Sequence, residues 1–250
     1  MSKRLSRAPT APAPRGAVHI SKLKTTCSEE LEATRTSPRG HAVVQLELLR
    51  VEFRRIPHID QIAQAFSLRL WLQFRVCGGA TDERLMQGGV REEDGPPPFA
   101  SARWFLEQLS FRNATQTPTI LTRKVNVIGD DLHFILECEG SFFGDLDLQT
   151  FPFDHQELTV KLQADCAKQG AAPIAFTGTR TAVESIDLEH FCLHSSWHLE
   201  KHLCLQLSEH SPINGRTYPL LVITAHVHRR PGFFLVNVVS QRLVEMGSSP

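Results

Sequence analysis

The chain has 250 residues, of which 41% are hydrophobic and 22% charged, a composition able to bury a core and unlike that of a disordered polypeptide. Lysine plus arginine (27) balance aspartate plus glutamate (27), so no global basic field exists to attract nucleic acid, and nucleic acid is not expected as a partner. The cysteines Cys27, Cys77, Cys138, Cys166, Cys192 and Cys204 contain no CxxC pair, and no run reaches the ~18 to 20 apolar residues that span a bilayer, so neither a zinc ribbon nor a membrane helix is signalled.

Residues 1–40 are rich in Pro, Ser, Thr, Ala and Arg and have no apolar periodicity, which predicts a disordered basic tail. The first acid is Glu29, a pattern loosely like an organelle transit peptide but without the apolar core of a secretory signal. From residue 42 onward short apolar-alternating runs begin: 43–56 (VVQLELLRVEFRRI), 66–76 (FSLRLWLQFRV), 131–140 (DLHFILECEG), 155–164 (HQELTVKLQA), 195–207 (SSWHLEKHLCLQL) and 218–228 (YPLLVITAHVH). In LTVKL, Leu158, Val160 and Leu162 share one face and Thr159 and Lys161 the other, the period of a half-buried strand. Residues 78–98, with their glycines and prolines, read as a loop or insertion, and 103–109 (RWFLEQL) as a helical turn or two. Repeated strands with polar connections predict an all-β antiparallel sandwich.

The segment FPFDHQ, residues 151–156, resembles the docking-loop motif of the pentameric ligand-gated ion channels, the Cys-loop receptor superfamily. There the loop lies between two strands and packs against the membrane domain, and here runs 131–140 and 155–164 flank it in that order. Phe151, Pro152 and Phe153 suit an exposed docking tip, since the rings offer apolar area at small entropic cost. The cysteines that close this loop in animal members fall on Gly144 and Leu158, so the disulfide is absent, as in bacterial-type members. Residues 218–231 resemble the last strand and the linker to the first membrane helix, with Arg229 on the family's pre-membrane arginine. The resemblance implies that Arg229 pairs with an acid of the docking loops, Asp154 or Asp60, either as a switch or as a structural ion pair. Residues 51–76 resemble the first two strands and the turn between them.

The family's ligand sits between neighbouring subunits among aromatic side chains. By the same resemblance Trp71 is the complementary-face wall and Tyr218 a wall of the hairpin known as loop C, whereas Arg112 and Asp165 stand where other members have aromatics. A quaternary amine would be repelled by Arg112. Arg112 and Asp165 could hold the two ends of a zwitterion, or could be a surface ion pair.

His190, His194, His198 and His202 recur every fourth residue and are weak candidates for metal, with the serines at 195 and 196 expected to break the register. No GxSxG elbow or phosphate loop accompanies them, so no enzyme activity and no cofactor are expected. The resemblance implies a tail (1–40), an immunoglobulin-like ligand-binding domain of the nicotinic-receptor type (41–231), and the start of a first membrane helix or a tail (232–250). It further implies a homo- or hetero-pentamer that binds a small molecule between subunits and, in a complete protein, couples binding to an ion gate. The domain would then face outward from a membrane to which absent helices attach it. A soluble binding protein of the same fold, or an assembly module without ligand, are the alternatives.

Overall fold

In the computed structural model the described residues are 43–81, 108–168, 173–212, 215–232 and 235–236. Ten strands run in chain order: β1 (Val44–Asp60), β2 (Ala65–Val76), β3 (Leu109–Phe111), β4 (Thr119–Ile128), β5 (Asp131–Phe143), β6 (His155–Ala164), β7 (Ile174–Thr177), β8 (Val183–Ile186), β9 (Trp197–His210) and β10 (Tyr218–Arg229). They form an all-β sandwich of two packed sheets. A six-stranded sheet has the order β4-β5-β2-β1-β7 with β8 also on β1, and a four-stranded sheet has the order β3-β6-β10-β9.

Alternation builds both layers. In β2 the side chains of Phe66, Leu68, Leu70, Leu72, Phe74 and Val76 turn inward, while Ser67, Arg69, Trp71, Gln73 and Arg75 turn outward. β6 and β10 do the same from the other sheet with Leu158, Val160 and Leu162 and with Leu221, Ile223 and Val227. Phe53, Phe66, Phe74, Phe134, Phe142 and Phe191 are fully buried between the sheets, each worth roughly 1.5–3 kcal/mol of apolar burial.

The long β1 departs from strict alternation. Its buried residues step by two from Val44 to Leu48, then by three from Leu48 to Val51, from Phe53 to Ile56 and from Ile56 to Ile59. The pairing with β2 slips over the same stretch, between Leu48 and Arg50, Phe53 and Arg55, and Arg55 and His58. Each slip inserts an extra residue that returns the next apolar side chain to the core. The same slips place Arg50, Arg54 and Arg55 where they remain in contact with solvent.

Six of the strands follow the apolar runs of the sequence. The edge strand β4 does not, because most of its residues are exposed and it pairs only with β5. The pairing is not wholly antiparallel: the chain crosses from β6 of the opposite sheet into β7, and β7 and then β8 lie parallel to successive stretches of β1. Of the segment 103–109, residues 103–107 lie outside the described residues and Leu109 belongs to β3 rather than to a helix. The tail at 1–40, most of the 78–98 loop and most of 232–250 also lie outside the described residues. No helix among the described residues is long and apolar enough to cross a membrane.

Gly178 marks the closest approach in the connection after β7. Its φ is +82°, and a Cβ there would sit 2.7 Å from the Leu48 carbonyl oxygen. Gly178→Ala is therefore expected to lower the unfolding free energy by about 1–3 kcal/mol, read from urea denaturation. An unchanged midpoint would contradict the packing of this turn on β1.

Candidate functional site

The loop between β5 and β6 is closed by side-chain amides. Gln64, in the left-handed region at φ 50°, bonds the loop through both amide atoms: Nε2 donates to the carbonyl of Leu146 at 3.1 Å, and Oε1 accepts from the Leu146 N–H at 2.7 Å. Its carbonyl accepts from Gly144 N–H at 2.9 Å. Gln156 Nε2 donates to the Asp147 carbonyl at 2.5 Å and to Asp154 Oδ2 at 2.7 Å. A Cβ on Gly144 would stand 3.8 Å from the carbonyl oxygen of Glu157, so the loop ends meet, while Leu158 is fully buried in the core. The loop is thus held by hydrogen bonds from Gln64 and Gln156, and its ends at Gly144 and Glu157 lie close together.

Beneath the loop lies an ion pair. Arg229, the last residue of β10, donates from Nε to Asp154 Oδ1 at 2.5 Å and from Nη2 to Asp154 Oδ2 at 2.9 Å, a two-pronged pairing. Both side chains are 1% exposed. The backbones join as well, Arg229 N–H donating to Asp154 O at 3.0 Å. The guanidinium carbon lies 4.1 Å from the Trp197 ring centroid and 4.9 Å from that of Phe151. Burial acts to raise the Asp154 pKa, but the hydrogen bonds from Arg229 and Gln156 outweigh it and hold the carboxyl below the usual aspartate range. Of the two acids expected to meet Arg229, the structure selects Asp154. Asp60 instead accepts from the N–H groups of Ile62 and Ala63, both at 2.9 Å, and shapes the β1–β2 turn.

Apolar side chains project beside this pair. Ile62 at the tip of the β1–β2 turn is 97% exposed and Phe153 is 62% exposed, with Phe151 and Leu148 about half exposed. Pro152 follows Phe151 through a cis peptide. The bonds from Gln64 to Leu146 and from Arg229 to Asp154 bring the turn, the loop and the end of β10 to one end of the sandwich.

The expected ligand walls separate into two groups. Trp71 stands on the outer face of the six-stranded sheet, with the guanidiniums of Arg50 and Arg54 at 5.6 and 5.3 Å from its ring centroid. Arg54 and Arg69 in turn bond Glu137, at 2.8 and 2.9 Å. Burial pushes Glu137 up, but these arginines outweigh it and lower its pKa. Arg112, Asp165 and Tyr218 belong to the four-stranded sheet and the segments that continue it. Arg112 and Asp165 form no ion pair: Arg112 Nη2 contacts His210 Nε2 at 3.4 Å, and Asp165 Oδ1 accepts from Ser110 Oγ at 3.0 Å and Gln163 Nε2 at 2.7 Å. Tyr218 is the register partner of His210. Trp71 and the other three residues therefore lie on outer faces of opposite sheets and cannot enclose a ligand within one chain.

The four periodic histidines are scattered. His190 bonds Asp187 at 2.6 Å, His194 meets the Leu188 carbonyl at 3.1 Å, and His202 lies 3.4 Å from Glu184. Residues 192–196 form a turn, so only His198 and His202 are on β9. Strand pairing assembles a different set: His155 and His198 flank His228 in register, with ring centroids 4.2 and 6.2 Å from it, and His228 bonds Glu200. The hydrogen bond from His228 holds the Glu200 carboxyl below its usual range. No group of three or more His, Cys, Asp or Glu among the described residues is arranged to hold a metal ion.

Other participants escaped the sequence reading. Gln64, Trp197 and Glu137 are separated by many residues from the groups they bond or cover, although Gln156 was visible as the last letter of FPFDHQ. No protein-family model matches the chain, and a search of curated proteins finds no match.

Removing one partner of the buried pair leaves an unpaired charge, so Asp154→Asn and Arg229→Gln are each expected to cost about 3–5 kcal/mol in urea unfolding. Because the folded-state pKa of Asp154 is depressed, the stability it contributes is present above the ordinary aspartate value of ~4 and is lost as pH falls through the folded value. The Asn variant is expected to lose stability less steeply than wild type below about pH 4. Parallel acid limbs would contradict that linkage.

Proposed function

We propose that this chain is a ligand-binding domain of the pentameric ligand-gated channel type, which binds a small molecule between neighbouring copies and, in a complete protein, passes the event to an ion gate. The observation that carries the reading is the buried Asp154–Arg229 pair, which ties the FPFDHQ loop to the last residue of β10. It joins the two segments that the sequence resemblance pairs, at the end of the sandwich where Ile62 and Phe153 are exposed for docking.

The separation of Trp71 from Arg112, Asp165 and Tyr218 supports a site shared by two copies. In a ring, one copy's six-stranded sheet can face its neighbour's four-stranded sheet, a heterologous contact that closes by rotation. A ligand held there meets Arg50, Arg54 and Arg112, which disfavour a quaternary ammonium and suit a small molecule with a negative group.

Native mass spectrometry of the full chain is expected to find a pentamer; a monomer as the sole species over the accessible concentration range would overturn the assembly. Ligand-observed NMR with a panel of amino acids is expected to find binding that Arg112→Ala weakens by about tenfold, the effect of losing a charged hydrogen bond. Equal binding by the variant would remove Arg112 from the site.

A further inference from the structure

We propose a second binding site, complete within one chain, in which the recess between β1, β2 and residues 185–190 takes a small organic anion, a carboxylate or phosphate ester, with Arg55 as its principal ligand. The recess has a volume of about 540 Å³ and is lined by Arg54, Arg55, Arg69, Ser185 and His190, with Phe53 among its apolar lining residues. That volume falls in the range of small-molecule sites.

The charges in and around the recess are unequally committed. Arg54 uses Nε on Glu52 and Nη1 on Glu137, and Arg69 uses Nε and Nη2 on Glu137. The lining acids are also engaged: Glu52 with Arg50 and Arg54, and Asp187 with His190 and the backbone N–H groups of residues 189 and 190. The side chain of Arg55 forms no hydrogen bond or ion pair among the described residues. It is nevertheless the register partner of Arg69, and like charges directly opposite on paired strands are unfavourable. An anion between them would relieve that repulsion. It would also meet the five N–H donors of Arg55, the remaining Nη2 of Arg54 and Nη1 of Arg69, and the Ser185 hydroxyl.

The wall opposite the arginines is held in place. β8 pairs with β1, with Ile186 beside Phe53, and Asp187 N–H donates to the Phe53 carbonyl at 2.9 Å. A planar guanidinium fork fits carboxylate and phosphate oxygens through paired bonds, which an ammonium does not. The site needs no second copy; it shares Arg54 with the face proposed to meet a neighbouring chain, while Arg55, its principal ligand, belongs to the recess alone.

Isothermal titration of the full chain with citrate and with inorganic phosphate tests the proposal, run in chloride at physiological ionic strength so that diffuse attraction is screened. Saturable binding of one or both probes is expected, the responding probe identifying carboxylate or phosphate as the preferred group. Arg55→Ala should weaken it by about tenfold and Arg55→Lys by less. Arg112→Ala should leave it unchanged. Arg55 is exposed, so the alanine variant should fold, and without anion its melting temperature should equal or exceed that of wild type. No saturable heat with either probe, or equal binding by Arg55→Ala, overturns the proposal. A monomeric protein that binds citrate would overturn assembly and leave this site standing; a pentamer without the heat would do the reverse.

Discussion

One buried ion pair organises the end of this sandwich. Asp154 and Arg229 come from the end of a loop and the end of a strand, and both side chains are buried in the folded state. Two charges removed from water are tolerated only when their geometry is good and their remaining hydrogen-bonding capacity is met. Here the carboxylate also accepts from Gln156, and the guanidinium lies between Trp197 and Phe151. Moving the loop or the end of β10 would disrupt the pair, so the positions of β6, β9 and β10 at this end are mutually constrained. The exposed Phe153 is held on a rigid base rather than on a free loop.

The loop above the pair is held by side-chain hydrogen bonds. Gln64 adopts a left-handed backbone conformation that is uncommon for a residue with a side chain, and its amide satisfies both polar backbone groups of Leu146. Such a conformation persists only where surrounding contacts over-determine it. The same side chain couples the β1–β2 turn to the β5–β6 loop, which carry the exposed apolar tips Ile62 and Phe153.

The outer faces of the two sheets differ in charge chemistry. On the six-stranded sheet, Arg50, Arg54 and Arg69 gather around Trp71 and Glu137, so the tryptophan is met by cations of its own chain. On the four-stranded sheet, His155, His198 and His228 form a row with Glu200. Neither arrangement is a periodic motif along the chain. Each arises where outward positions of adjacent strands meet in register, and the slips along β1 decide which arginines join the first group.

The sequence by itself determined the fold class and the long strands. Leu158, Val160 and Leu162 must share a face whatever their neighbours are, because side-chain alternation is a local property of extended backbone. The steps of three in β1 were also present in its apolar spacing, though they acquire meaning only against a paired strand. The exposed β4 and the short β7 and β8 carried too little apolar pattern to announce themselves. FPFDHQ and Arg229 were visible as separate features, and a resemblance named Asp154 and Asp60 as possible partners. Tertiary structure decided between them, drew Arg112 and Asp165 to other partners, set Trp71 on the opposite sheet from the other expected walls, and replaced one row of histidines with another. These outcomes depend on strand register and sheet packing, which bring together residues that local sequence periodicity cannot pair.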